Sequence, residues 1–176
     1  MKLRVIRKQN NSDQCVVCGR DNPLSLQTQF YAVEGDLMVG LVTGRGEHQS
    51  YPGRMHGGMI SALLDEVVGR AINTVEPDAF GVTVEINVQF KKPVPLNEPL
   101  TLVGKLTRNT RRVFQAEGLI EDQQGTILAT AKATYVKLDI ERIAGKPLTQ
   151  EEWFLIPDDV TEIQVHNTEF FQSKKD

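Results

Sequence analysis

The segment MHGGMISALLDEVVGRAI, residues Met55 to Ile72, has the clearest structural pattern in the chain. It predicts a long helix, because its apolar side chains recur three and four residues apart. We expect this helix to run from about Gly57 to Val75, where the turn-forming EPDAFG segment ends it. At 100° per residue, the side that faces the core consists of Ile60, Leu63, Leu64, Val67 and Ala71.

A second side of the helix carries small residues and one acid. Its members are Gly58, Ser61, Ala62, Asp65 and Gly69. Small side chains allow a ligand or another helix to approach closely. We therefore expect Gly58 and Ser61 to contact a substrate.

The two adjacent acids of the helix differ in their surroundings. Glu66 has Arg70 four residues later, a spacing that predicts a surface ion pair. Asp65 has no basic neighbour on the helix and lies between apolar residues, so we expect it to be partly buried. Such an acid is either a functional group or a structural one that nearby hydroxyl groups satisfy.

The His56-Gly57-Gly58 sequence lies at the expected start of the helix. Backbone N–H groups lack partners there, and the helix dipole is positive, so an oxyanion can bind. His56 itself has two possible roles, one in the chemistry and one in orienting the loop through a hydrogen bond. Gly57 and Asp65 are separated by about 12 Å along one helix at 1.5 Å per residue. Since one reacting carbon cannot contact both, a common reaction requires Asp65 from a second copy of the chain.

The rest of the chain predicts mostly strands. LSLQTQFYAVEGDLMVGLVTG, residues 24–44, indicates a hairpin that turns at Glu34-Gly35-Asp36. In residues 82–90 the alternation puts Val82, Val84, Ile86, Val88 and Phe90 on one packed face and Thr83 on the other. Four strand-like segments are expected after the helix, at residues 82–94, 99–110, 111–122 and 126–140.

These elements predict an α+β fold, in which an antiparallel sheet of about six strands wraps around one long central helix and ends in a four-strand meander. We expect three regions. They are a flexible segment over residues 1–22, the main domain over 23–140 and an extension over 141–176 with a short helix. That helix is predicted because Thr149 and Glu152 fit a capping box.

Composition excludes several classes of protein. The chain has 176 residues, 40% of them hydrophobic, and a net charge of −3, so a nucleic-acid partner is not expected. No apolar run approaches the roughly 20 residues of a membrane span, and a membrane partner is not expected either. The basic start, MKLRVIRKQNNSDQ, lacks the apolar stretch of a signal peptide, so we expect a cytoplasmic protein.

The two cysteines form one CVVCG motif at Cys15 and Cys18. A structural disulfide is not expected in the cytoplasm, and a zinc site needs about four ligands. Three alternatives stay open: plain reduced thiols, metal shared between subunits, and a redox pair.

YPGRMHGGMISALLDEVVG and GVTVEINVQFKKPVP together resemble the PaaI-like acyl-CoA thioesterases of the hotdog superfamily. The resemblance covers roughly residues 15–138. It implies a hotdog fold, a homodimer or a dimer of dimers, hydrolysis of an acyl-CoA thioester, and no metal or organic cofactor. Asp65 would be the nucleophile or the base, and the Gly57 amide of the partner copy would polarise the carbonyl. Thr83 matches a position that holds a serine or threonine in some relatives and positions the water.

The resemblance leaves one donor open and suggests a nucleotide contact. Some relatives carry an asparagine several residues before the histidine, where this chain has Gln49 and Ser50. The phosphates of CoA would meet basic residues at strand ends, for which the candidates are Lys92, Arg108, Arg111 and Arg112. The alternative for each of these is an ordinary solvated charge.

Two other functions are compatible with this fold. A sensor would bind acyl-CoA without hydrolysing it, but about 22 residues before the first strand are too few for a helix-turn-helix domain. A hotdog dehydratase would need a catalytic histidine paired with an acid in a different arrangement from the one seen here.

Overall fold

The computed structural model describes residues 1–171. Ten strands, β1–β10, span Lys2–Lys8, Asn11–Ser12, Gln29–Val33, Leu37–Thr43, Gly81–Phe90, Pro99–Asn109, Val113–Glu121, Ile127–Lys137, Trp153–Phe154 and Glu162–Gln164. Helices α1 and α2 span Gly57–Gly69 and Ile140–Ala144, and 3₁₀ turns span Gly46–His48, Arg70–Thr74 and Thr168–Phe171. Eight strands form one antiparallel sheet in the order β10-β1-β3-β4-β6-β7-β8-β5, and β2 pairs with β9.

The sheet wraps around α1, as expected for a hotdog fold. The helix buries Ile60, Leu63, Leu64, Val67 and Val68. Its main chain comes very close to the sheet at Gly104, and the Val68 side chain comes close at Gly118, which pairs directly with Gly104 across β6 and β7. A Cβ at Gly104 would lie 2.5 Å from the Val67 carbonyl oxygen, so glycine is required for this approach. The buried side of the helix thus fits into a groove that the two glycines leave in the sheet.

The hairpin of β3 and β4 confirms the predicted turn, and Gly35 and Asp36 both have positive φ there. The prediction of a four-strand meander is wrong for its first strand, β5. Strand β5 pairs with β8 at the edge of the sheet and does not pair with β6. Only the three strands β6, β7 and β8 follow one another as neighbours.

The N-terminal segment is more ordered than its polar composition predicts. Strand β1 lies inside the main sheet, between β3 and β10. Leu3 is buried and Val5 packs beside it, so alternate positions of a basic strand face an apolar cluster. Strands β1 and β10 also account for the count of eight strands in place of about six.

The C-terminal extension covers the outer face of the sheet. Ile163 and Val165 are buried there against Leu3 and Val103. The carboxylate of Glu121, which is fully buried, accepts hydrogen bonds from the amides of residues 166 and 167 at 2.8 and 3.1 Å. The extension is thereby fixed to β7.

The short helix of the extension lies elsewhere than predicted. Thr149 and Glu152 do exchange the two capping hydrogen bonds, at 3.0 and 3.3 Å. The chain after them forms β9, however, and the helix is Ile140–Ala144, which ends at Gly145 with φ 75°. Residues 172–176 of the predicted extension lie outside the described residues.

Candidate active site

Asp65 lies on the partly exposed side of α1 and is held by two hydroxyl groups. Its Oδ1 accepts a hydrogen bond from Thr83 Oγ1 at 2.9 Å and another from Tyr135 Oη at 3.0 Å. Tyr135 Oη also lies 2.9 Å from the Asp65 carbonyl oxygen. Among the described residues, Oδ2 of Asp65 has no hydrogen-bond donor. The carboxylate is therefore oriented through one oxygen, and the other can accept a proton.

A β-bulge brings Thr83 to this site. Simple alternation places Thr83 on the face opposite Ile86, but the register of β5 against β8 shifts between Thr83 and Glu85. Thr83 then pairs with Tyr135 and Ile86 with Ala133, two residues that share the inner face of β8. The extra residue, Val84, is 63% exposed. The prediction of one packed face is therefore wrong for Val82, Val84 and Phe90, which are exposed, and correct for Ile86 and Val88.

Sequence reasoning missed Tyr135. Its ring is buried and stacks on Phe114 with centroids 4.7 Å apart. Burial and the neighbouring Asp65 carboxylate raise the pKa of Tyr135, so its hydroxyl stays protonated and donates. A Cβ at Gly69 would lie 3.2 Å from Tyr135 Cε1, so the small residue leaves room for the ring. One signal was available in the sequence: Tyr135 continues the inward series of Ala129, Ala131 and Ala133.

A cleft opens beside Asp65. It has a volume of about 450 Å³, and its walls include Thr83, Tyr135 and Phe80 together with residues 7–10 of the N-terminal segment. The side of α1 made of small residues is partly exposed along its length. A substrate can reach the carboxylate from this side.

At the start of α1, one amide has no acceptor among the residues that the structure describes. His56 Nδ1 accepts a hydrogen bond from the amide of Gly58 at 2.9 Å, so this imidazole caps the helix. Within residues 1–171, the amide of Gly57 donates to no protein acceptor. The Phe90 ring lies beside it, since a Cβ at Gly57 would be 3.6 Å from two ring carbons. Gly57 thus offers an oxyanion donor next to an apolar surface.

The other substrate-contact candidates hydrogen-bond within the protein. Ser61 Oγ donates to the Gly57 carbonyl at 2.9 Å, and Gln49 Oε1 accepts from the amide of Gly53 at 3.0 Å. Ser50 is exposed, and its amide donates to the Arg54 carbonyl. None of these three side chains bonds to Asp65.

The structure corrects the expected surface ion pair. Arg70 Nε does donate to Glu66 Oε1 at 2.8 Å, but only 7% of the Arg70 side chain is exposed. Its guanidinium lies between the rings of Phe30 and Trp153, 4.6 and 5.0 Å from their centroids. Segments distant in the sequence cover this side of the helix, which is why local spacing predicted a solvated pair.

The basic candidates are all exposed, and they fall into two groups. Lys92 follows the Phe90 end of β5, where its amide donates to the Leu128 carbonyl. Arg112 lies at the Gly81 end, where its carbonyl accepts from the amide of Lys137. Arg108 and Arg111 lie near Arg112, on β6 and in the β6–β7 turn. One copy of the chain therefore does not gather all four.

The comparisons with known proteins agree with this fold. Residues 52–129 match the model of the family described as "Thioesterase superfamily". The match covers 78 of the 176 residues and, with the sheet wrapped around α1, shows a hotdog fold. Among the described residues, no helix is long and apolar enough to cross a membrane.

Individual relatives cover part of the chain. Acyl-coenzyme A thioesterase THEM4 of Mus musculus is 29% identical over 121 residues, which are 68% of this chain and 50% of that protein. The chain thus spans half the length of this curated relative. A crystal structure of a thioesterase superfamily protein is 31% identical, with a TM-score of 0.64, over 70% of this chain and 60% of that one. The PaaI protein of E. coli has a TM-score of 0.59 at 17% identity, over 65% and 81%, and shows the fold alone.

Proposed function

We propose that the protein hydrolyses acyl-CoA thioesters at a site to which two copies of the chain contribute. The main support for the proposal is that each end of strand β5 lies beside one half of the site. Asp65, with Thr83, lies at one end of the strand, and the free amide of Gly57, with Phe90, lies at the other. Thr83 and Phe90 are seven positions apart on the strand, one of them the bulged Val84, which makes a separation of about 20 Å.

Strand β5 is an edge strand, and it supports pairing with a second copy. It is ten residues long, it pairs with β8 on one side, and it exposes Val82, Val84 and Phe90. A twofold axis near Ile86 would add the same strand of a second copy in antiparallel orientation. Thr83 of one copy would then meet Phe90 of the other, which brings Asp65 and Gly57 of different copies together.

The chemistry needs few groups. Asp65 accepts a proton from water through Oδ2 while Thr83 and Tyr135 fix Oδ1, the water oxygen attacks the carbonyl carbon, and the proton then passes to the departing thiolate. In the alternative route, Asp65 attacks the carbonyl carbon directly, and water hydrolyses the resulting acyl anhydride. The Gly57 amide stabilises the oxyanion. Cleavage of the carbon–sulfur bond releases CoA, a good leaving group, and the products are the carboxylic acid and the free thiol.

The same pairing groups the basic residues. An antiparallel partner would bring Lys92 of one copy to the strand end that carries Arg108, Arg111 and Arg112 of the other. These four residues then form one candidate contact for the CoA phosphates. A dimer is the smallest unit that this function requires, and a dimer of dimers stays a prediction, as does the cytoplasmic location.

The test is the release of free thiol from a panel of acyl-CoAs by the parent protein and by Asp65→Asn. We expect kcat to fall about 10²-fold or more, the scale for a missing general base. The control is Asp159→Asn, which removes an exposed carboxylate outside the site and should leave kcat unchanged. An Asp65→Asn protein that hydrolyses at the parent rate would exclude Asp65 as the catalytic group. A parent protein that binds acyl-CoA but releases no thiol would favour the sensor in place of the enzyme.

Mixed dimers test the sharing of the site. Asp65→Asn and Gly57→Leu should each be inactive alone, because each damages both sites of its dimer. After the two are unfolded and refolded together, each mixed dimer should regain one intact site, and activity should return. A mixture that stays inactive, or an active monomer by light scattering, would contradict a shared site.

A further inference from the structure

Cys15 and Cys18 lie in a turn after β2 that packs against α1. The amide of Gly19 donates to the Cys15 carbonyl at 2.8 Å and closes the turn. A Cβ at Gly19 would lie 2.3 Å from that carbonyl oxygen, so the glycine of the CVVCG motif is required. The turn holds the two sulfurs within 4.8 Å of each other, and no disulfide joins them.

The two thiols have unequal surroundings. Cys18 is 1% exposed, whereas Cys15 is only half-buried. The amides of Val17 and Cys18 point at Cys15 Sγ, at 3.3 and 3.5 Å. A hydrogen bond from the Cys18 thiol lowers the pKa of Cys15 to about 7, although burial and the charge of Glu66 oppose this. The same hydrogen bond, together with burial, raises the pKa of Cys18.

The charged neighbours of the pair are Glu66, on α1, and Arg70, in the 3₁₀ turn that continues it. Cys18 Sγ lies 3.9 Å from Glu66 Oε1 and 3.4 Å from Arg70 Nη2. A metal ion would find three ligand atoms here, from Cys15, Cys18 and Glu66, where structural zinc needs four. The guanidinium of Arg70 also contacts two of the three, and its positive charge opposes a cation. The arrangement favours thiol chemistry over metal binding.

We propose that Cys15 and Cys18 form a redox-active dithiol that a peroxide oxidises to a reversible disulfide. The thiolate of Cys15 attacks one oxygen of the peroxide, the O–O bond breaks, and Cys15 becomes a sulfenic acid while hydroxide leaves. Cys18 then attacks the Cys15 sulfur, its thiol proton goes to the departing oxygen, and water leaves. In total, two thiols and one hydrogen peroxide give one disulfide and two waters.

The test uses the full-length protein and hydrogen peroxide, with intact-mass measurement and thiol counting. We expect the loss of two hydrogen atoms and of both titratable thiols, and dithiothreitol should restore both. Retention of both free thiols under peroxide would overturn the proposal. So would one bound zinc per chain, with thiols that react only after a chelator removes it.

Single variants separate the roles of the two thiols. Cys18→Ser should stop at a sulfenic acid on Cys15, seen as one added oxygen that dimedone captures. In Cys15→Ser the buried Cys18 should react more slowly, by about 10-fold or more. Circular dichroism establishes that both variants are folded. Equal rates in the two folded variants would contradict the assignment of Cys15 as the attacking thiol.

Discussion

Thr83 and Asp65 are joined by a 2.9 Å hydrogen bond, although simple alternation along β5 would turn Thr83 away from the helix. The single extra residue at Val84 makes this contact possible. The site therefore depends on a local irregularity of an edge strand, and Thr83 is predicted to act by orienting Asp65 and its water.

Thr83→Val should lower kcat for acyl-CoA about 10- to 100-fold, because it removes a hydrogen bond to a charged oxygen. Thr83→Ser keeps the hydroxyl and should retain most of the activity. Steady-state kinetics of thiol release measure both. Equal losses in the two variants would mean that the methyl group, and not the hydroxyl, is what matters.

Tyr135→Phe should lower kcat about 10-fold with little change in KM, since it removes the second donor to Asp65 Oδ1. Its matched control is Tyr31→Phe, because the Tyr31 hydroxyl bonds to Asp158, outside the site. Full activity in Tyr135→Phe would show that Thr83 alone suffices to orient the carboxylate.

Glu66→Ala should destabilise the protein by about 2–4 kcal/mol, because it leaves the buried Arg70 without its ionic partner. Urea unfolding measures the change in the free energy of unfolding. Lys2→Ala, which breaks the exposed pair with Glu162, should cost about 0–1 kcal/mol. If the two variants cost the same, Arg70 does not depend on Glu66.

Arg111→Ala and Arg112→Ala should each raise KM for acyl-CoA about 3- to 10-fold and leave kcat nearly unchanged, because they would contact the nucleotide. The increase should shrink with a pantetheine thioester, which lacks the nucleotide. Equal increases with both substrates would exclude a phosphate contact.

Glu76→Gln should reduce the loss of folding stability that occurs as the pH falls into the acid range. Hydrogen bonds from Lys137 and then Asn109 lower the pKa of Glu76 in the folded protein. The stability that this carboxylate contributes is therefore present above its ordinary pKa of about 4.3 and is lost as pH falls through the lowered folded value. Urea unfolding at neutral and acid pH measures it. Glu141→Gln, at an exposed position, should leave the curve unchanged.

The sequence predicted what depends on local pattern. The apolar spacing of α1 and the turn at Gly35 and Asp36 identified the helix and the first hairpin, and the resemblance named the hotdog fold. The positions of Asp65 and Gly57 on one helix predict both as site residues. In the structure, Asp65 has two hydrogen-bond donors, and the Gly57 amide has no acceptor among the described residues.

The remaining features depend on contacts between distant residues. Thr83 and Val84 both favour strands, so nothing in their alternation reveals which residue bulges. The pairing of β5 with β8 joins segments about 50 residues apart along the chain, and such pairing has no local signal. Arg70 is buried because Phe30 and Trp153 cover it, and spacing on the helix carries no information about either ring.

The two edge strands of the main sheet differ in length. This difference limits how many copies of the chain can join through sheet edges. One edge is β10, three residues long, and the other is β5, ten residues long. If two copies join through β5, the combined sheet presents a β10 edge on both sides, too short to recruit a further strand. Addition through sheet edges then stops at two copies, so the same exposed strand that completes the proposed site does not start an open-ended fibre.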